Sequence, residues 1–391
     1  MREVVIVSAA RTGVGANNGK LASFSAVQLG AMAVKEAVKR AGIPSETVDE
    51  CIMGCVLPAN LGQAPARQAA LLGGLDPRVG ALTINKVCGS GLKAVMLGAQ
   101  AIQCGDADVV VAGGMESMTN SVYYVPKARF GYRMGNGELV DGMINDGLLD
   151  AYDKYLMGVT AEFCAEEYNV TREDQDEYAY NNYLKGLKAA QEGKFKEEIF
   201  PIEIKTRKGT EIFEQDEILV DTPLETLTKM KPAFKKDGTV TAGNASKISD
   251  GAAAMVLMSK EKADELGLTY LAKIGAQASG GLEPKWVLMA PIKSIPNCLK
   301  KAGLEIDDID LYEVNDAFSA SSVGIVRHLG IDPAKVNVHG SAVSIGHPIG
   351  GSGARVLTTL LYAMKDRNAK RGMASLCLGG GESVSLIVER D

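Results

Sequence analysis

The stretch "NKVCGSGLKAV", residues 85–95, has a near copy in "HPIGGSGARVL", residues 347–357. Both run Gly-Ser-Gly into what reads as a helix, at a spacing of 351 − 89 = 262. Upstream, "EAVKRAGIPSETVDECIMG" (36–54) aligns with "NCLKKAGLEIDDIDLYEVN" (297–315), where Lys39, Ala41, Gly42, Val48 and Asp49 face Lys300, Ala302, Gly303, Ile309 and Asp310 at 303 − 42 = 261. Downstream, the strand-like "ADVVVAGGMES" (107–117) is matched by "MASLCLGGGES" (373–383). Ordered matches over roughly a hundred residues mark a duplicated fold rather than a chance repeat.

Each half reads as strand, helix, strand, Gly-rich turn, helix, strand, and runs such as "VVVAG" suit a sheet covered on both faces. The alternation predicts α/β halves with mostly parallel sheets. A helix is predicted over 26–41, stopped by Gly42, and a second, charged one over 171–195 with Thr171 as its cap. Three units follow: a first half of 1–119 plus 249–268, an inserted loop domain of 120–248, and a second half of 269–391.

Composition narrows the function. With 391 residues, 46% of them hydrophobic and 23% charged, the chain has material for a large core. A net charge of −6 without a Lys/Arg run gives no pull toward nucleic acid or anionic lipid. No uninterrupted apolar run approaches the about 18 residues of a membrane span, and the start "MREVVIVSAARTG" lacks a signal's apolar core, so a cytoplasmic location is expected. Seven unevenly spaced cysteines are expected to be reduced thiols, and Cys51 and Cys55 lack the partners of a zinc site, so no metal is expected.

Four residues stand at strand-to-helix turns, where α/β folds place their sites: Cys88, Asn315, His347 and Cys377. A thiol at a helix N-terminus is expected to ionise more readily than a free one, and Gly89 and Gly91 to admit a bulky substrate to the backbone. Taken alone, Cys88 reads more readily as a buried core thiol than as a nucleophile. His347, in a glycine-rich turn, has no apolar face to fill, and the repeat brings its turn to face that of Cys88; His328 and His339 read as a surface and a turn residue. Two thiols with one imidazole suit acyl transfer coupled to deprotonation of carbon, a Claisen condensation or its reverse, thiolysis.

On these residues, and on "GGMESM", "MGVTAE" (157–162), "KPAFKKDGTVTAGNAS" (231–246), "SDGAAA", "VNDAF", "GHPIGGSGAR" and "CLGGGE" in order, the chain resembles the thiolase family throughout. The resemblance implies a five-layered αβαβα fold of duplicated halves with an inserted loop domain, and a homotetramer whose contacts come from 120–148. It implies that Cys88 is acylated, that His347 activates it and shares an oxyanion hole with a water held by Asn315, and that Cys377 is the acid/base at the substrate alpha carbon. Gly379 would add a backbone N–H to a second hole, and Met157, Phe234, Ala242, Ser246 and Ala317 would line the pantetheine channel. Two molecules of acetyl-CoA would give acetoacetyl-CoA and CoA, reversibly, with coenzyme A thioesters as substrates, no permanently bound cofactor, and a place in fatty acid metabolism. Alternatives are a 3-ketoacyl-CoA thiolase of broader chain length, a ketoacyl synthase, which has no use for Cys377, and a non-catalytic acyl-CoA-binding relative.

Several positions depart from the family pattern. Leu156 replaces a polar contact near the acyl pocket, and Leu219 a family arginine near the adenine; Lys247 is expected to offer the phosphates a cation instead. Asp316 is a shortened family glutamate, while His339, Ser341 and Ser344 make their turn more polar. Glu382, followed by Ser383, is expected either to face solvent or to raise the Cys377 thiol by repulsion.

Overall fold

The structure, a computed structural model, describes residues 1–390. Nine strands make up the row of the main sheet: β1 (Val4–Arg11), β2 (Glu50–Gly54), β3 (Gly80–Ile84), β4 (Val109–Ser117), β5 (Ser249–Ser259), β6 (Ala272–Gly281), β7 (Leu311–Val314), β8 (Arg371–Leu378) and β9 (Glu382–Glu389). A two-residue strand, Gly15–Ala16, pairs with β5 as the tenth.

The strand order carries the duplication. From the centre outward the first half runs β1-β5-β4-β2-β3 and the second β6-β9-β8-β7. The fifth position that the second half lacks is marked by a parallel bridge between Tyr312 and Val336, the counterpart of the β2–β3 pairing. The two halves join through β1 and β6, Val5 opposite Lys273 and Ile6 opposite Ala272, so one continuous sheet replaces two separate ones.

The expectation of mostly parallel sheets is overturned. Only β2–β3, β2–β4 and β7–β8 are parallel, whereas β1–β5, β1–β6, β4–β5, β6–β9 and β8–β9 are antiparallel. The apolar runs remain apolar because helices cover both faces, not because the pairing is parallel.

Helix α1 (Ala26–Ala41) starts in a capping box of Ser25 with Gln28 and stops at left-handed Gly42, φ +67. Its repeat counterpart, the helix Pro291–Ala302, stops at Gly303 with φ +68, a conformation only glycine adopts without cost. The charged helix spans Arg172–Gln191, with Thr171 and Asp174 forming its box.

Helices α2 (Ser90–Cys104) and α3 (Ile349–Arg367) pack on each other between the two half-sheets, while α1 and Pro291–Ala302 cover the outer faces. That is the five-layered αβαβα order. The inner layer admits its two helices only at close range. A Cβ on Gly91 would come 2.6 Å from the Ala354 backbone nitrogen, and one on Gly89 2.1 Å from a Leu378 methyl. Gly91 serves the packing of α2 on α3, which corrects the expectation that it opens a path for substrate, whereas Gly89 makes room for Leu378 and Val384 of β8 and β9.

Candidate active site

Cys88 sits in a braced turn between β3 and α2. Asn85 Oδ1 accepts from the Val87 N–H at 2.9 Å, and Ser90 Oγ accepts from Lys86 N–H at 2.8 Å while donating to the Val87 carbonyl at 2.6 Å. Val87 is thereby held at φ +46, a costly conformation for a β-branched residue, and it turns Cys88 toward the second half. The backbone N–H groups of Gly379 and of Cys88 itself hydrogen-bond to the sulfur and favour its thiolate.

Burial nonetheless outweighs them and pushes the thiol up to about 11, with the Glu116 carboxylate adding to the rise. The expected ionisation at the helix end is therefore reversed: desolvation of the charged form exceeds what the helix terminus and the N–H groups return. At neutral pH Cys88 is a thiol and needs a base.

His347 is that candidate base. Its Nδ1 lies 2.6 Å from Ser352 Oγ, and the Ser352 hydroxyl donates to the Pro348 carbonyl at 2.9 Å. Since the serine's hydrogen is committed to Pro348, Ser352 can only accept from the ring, which places the imidazole proton on Nδ1. Nε2 is left as a buried acceptor with no protein partner. Burial, aided by Arg355, lowers the imidazole to about 3, so the ring is neutral. The backbone N–H of His347 donates to Ser249 Oγ at 2.7 Å, anchoring the turn to β5.

Cys377, near the end of β8, is buried, and burial with the neighbouring Cys88 and Cys164 raises its thiol further. Cys88, His347, Cys377 and Gly379 line one cavity of about 640 Å³. Met157, Phe234, Ala242, Ser246 and Ala317 line the same cavity, so segments drawn from the whole chain meet where the sequence reading placed a thioester channel. Beside Cys88 it is apolar, with Met118, Leu148 and Ile349 among its walls. Asn315 is the exception. It is buried outside the lining, its Oδ1 accepting from Arg355 at 3.4 Å and its Nδ2 without a protein partner.

The departures resolve differently. Leu156 lines the cavity next to Met157. Leu219 packs with Val14, Phe195 and Ile345 instead. Lys247 reaches the lining but is turned back, donating to the carbonyls of Ala242 at 2.6 Å and Ala245 at 2.8 Å, with burial lowering it to about 8. Two of its three N–H donors are thus held by the protein's own carbonyls.

Glu382 pairs with Lys86 at 2.6 Å, half exposed, and is not among the main groups that raise the Cys377 thiol. The register opposes a repulsive role, since Cys377 faces Ser383 whereas Glu382 stands opposite Leu378 and projects from the other face of the sheet. Asp316 accepts from Asn182 at 2.7 Å, Tyr178 at 3.2 Å and the Val343 N–H at 3.2 Å. Ser341 and Ser344 donate to Asn182 Oδ1 at 3.0 and 2.5 Å, so the polar turn is held by the helix Arg172–Gln191. His339 is buried in its turn, 3.6 Å from Asp366, and His328 is exposed on the helix Ser319–Leu329.

Sequence reading missed Ser352 and Asn182. A hydroxyl in the first turns of the helix after His347 was the available signal for the former; nothing local announces the latter.

A cysteine, a neutral imidazole and a second cysteine around one cavity, on a duplicated five-layered fold, define an acyl-transfer architecture. The model of the thiolase N-terminal domain matches residues 4–261 and that of the C-terminal domain residues 268–390. The chain belongs to the thiolase family. It is 53% identical to the acetyl-CoA acetyltransferase of Cupriavidus necator and 51% identical to that of Pseudomonas aeruginosa, over all of each chain. It is 47% identical to a probable acetyl-CoA acetyltransferase of Escherichia coli, again over all of both chains.

Proposed function

We propose that this chain is an acetyl-CoA C-acetyltransferase, condensing two acetyl-CoA to acetoacetyl-CoA and CoA through a thioester on Cys88, with thiolysis as the reverse. The observation that carries the reading is the shared cavity of Cys88, His347 and Cys377.

The protons balance. His347 Nε2 takes the Cys88 proton as the sulfur attacks the thioester carbonyl. The departing CoA sulfur takes the proton of Cys377, whose high thiol pKa keeps it loaded at rest and makes its thiolate a strong base. That thiolate then removes the alpha proton of a second acetyl-CoA, the carbanion attacks acetyl-Cys88, and the released Cys88 sulfur recovers its proton from His347. The N–H groups of Cys88 and Gly379, both directed at the Cys88 sulfur, support an oxyanion site for the thioester beside it. Asn315 would act only through a bridging water, since it stands outside the lining.

Mass spectrometry after brief exposure to acetyl-CoA tests the reading: an acetyl adduct on Cys88 is expected, and none in the wild type with an adduct elsewhere refutes it. Leu156 in the wall favours a second reading, a 3-ketoacyl-CoA thiolase of broader range, and thiolysis rates across chain lengths decide between the two.

The proposal extends to three units, 1–119 with 249–268, 120–248, and 269–391, and to a homotetramer in the cytoplasm serving fatty acid metabolism. The tetramer is supported by large apolar side chains offered to solvent in 120–148, among them Phe130 at 87% and Met134 at 97% exposure. No helix of the described residues is long and apolar enough to cross a membrane.

A further inference from the structure

Glu116 is a fully buried carboxylate that the mechanism above does not use. It stands near the end of β4, and its Oε2 accepts from the Val56 N–H at 3.0 Å and the Gly350 N–H at 2.8 Å. Its Oε1 accepts from the Leu57 N–H at 3.2 Å and faces the Cys55 thiol at 3.7 Å. Every partner is a donor and none is a cation.

These donors belong to different halves. Val56 and Leu57 follow β2, beside the strand that delivers Cys88, whereas Gly350 is the second residue of α3, three positions after His347. The carboxylate therefore sits at the positive end of a 19-residue helix. Gly350 is shaped to receive it, since a Cβ there would come 2.6 Å from Glu116 Oε2.

We propose that Glu116 is a positioning residue, a latch that fixes the histidine turn of the second half against the cysteine half and so sets the register of His347 Nε2 against Cys88. The inference rests on the acyl-transfer reading above for its consequence in turnover, but the latch itself is a property of the fold. Two observations support it. The buried carboxyl is met by three backbone N–H groups and the Cys55 thiol, which oppose the burial that pushes it up to about 7, and its charge is felt at the Cys88 thiol. Cys55 and Cys88 are the titratable groups that feel it.

Glu116→Asp and Glu116→Gln separate its two effects. Aspartate keeps the charge but is one methylene short of Gly350, so kcat is expected to fall about tenfold or more, with KM for acetyl-CoA within about twofold. Glutamine places an amide hydrogen against a backbone donor and removes the charge, so kcat falls and the pH profile of Cys88 alkylation by iodoacetamide moves to lower pH, which it does not in the aspartate variant. Folded variants with wild-type kcat, or a glutamine variant whose alkylation profile is unmoved, would overturn the proposal. If neither variant folds, amide exchange in the wild type decides: Gly350 is expected to be protected together with Val56 and Leu57, and free exchange at Gly350 rejects the latch. Alkylation and exchange need no CoA thioester, so an absence of acetyl transfer would refute the proposed function and leave the latch to be judged separately.

Discussion

His347 Nδ1 and Ser352 Oγ are 2.6 Å apart, and the serine's hydrogen is spent on the Pro348 carbonyl 2.9 Å away, so the ring keeps its proton on the side remote from the cavity. Replacing Ser352 by Ala removes the acceptor that selects this tautomer. The variant is expected to lose about tenfold in kcat, a part of the about 10²–10⁴-fold that a general base contributes, with KM for acetyl-CoA nearly unchanged. It should also lose about 1–3 kcal/mol of stability for the orphaned Nδ1–H. Steady-state kinetics with thermal unfolding check both; an unchanged kcat would mean that Ser352 does not set the tautomer.

The pH behaviour follows from burial. With the Cys88 thiol pushed up to about 11, alkylation of the free protein should keep rising well above pH 9 instead of levelling near the free-thiol value of about 8.5. With His347 lowered to about 3, kcat/KM should show no acid-side inflection near 6.5. For stability the folded-state imidazole pKa is depressed, so its contribution is whole above the unfolded value of about 6.5 and is lost as pH falls toward 3. A melting series from pH 7 to 4 should therefore show the wild type losing more than His347→Gln, and parallel losses would contradict a buried neutral ring.

Gly91 tests the packing account of the glycines. Alanine there would meet the Ala354 backbone nitrogen at 2.6 Å, and backbone cannot rotate aside. A loss of about 1–3 kcal/mol or more is expected for Gly91→Ala from overpacking between α2 and α3, read as a lower melting temperature. If the glycine served substrate access instead, stability would hold and only KM would rise.

Glu382 is expected to matter little. Its pair with Lys86 is half exposed, and such pairs contribute about 0–1 kcal/mol. Glu382→Gln should leave the basic limb of the kcat profile where it was, because the groups that raise Cys377 are its burial and the neighbouring Cys88, Cys164 and Asp316. A downward shift of that limb would restore the repulsive role that the register denies.

What could be read in advance was what the duplication repeats. Gly42 and Gly303 end equivalent helices in the same left-handed conformation, and the strand order of the second half mirrors the first. The site's thiols and imidazole were legible because turns at strand ends leave few other roles for them. Unreadable features depend on partners distant in sequence. The direction of pairing is set by contacts such as Val5 with Lys273, which no local period encodes. The Cys88 thiol follows local helix-end logic only until the second half covers it, after which desolvation decides. Asn315 stands after β7 as its sequence position suggests, but its contact with Arg355 of α3 and its place behind the cavity lining depend on packing that no local pattern encodes.

Lys247 separates a phosphate contact from a structural pin. Its ammonium is bound by the carbonyls of Ala242 and Ala245, residues of the turn that lines the cavity, and it also lies 5.7 Å over the Tyr183 ring. Were the ammonium to swing out to a phosphate, it would give up hydrogen bonds to a charged group of about 1.5–3 kcal/mol each. Lys247→Met keeps a chain of similar length beside Tyr183 and removes the two bonds, so the turn should loosen and KM for CoA in thiolysis should rise about three- to tenfold. The rise should be equal for CoA and for its analogue lacking the 3′-phosphate, because the pin acts through the pantetheine wall. Were the ammonium a phosphate ligand, the wild type would discriminate between the two thiols and the methionine variant would not, and that loss of discrimination would overturn the pin.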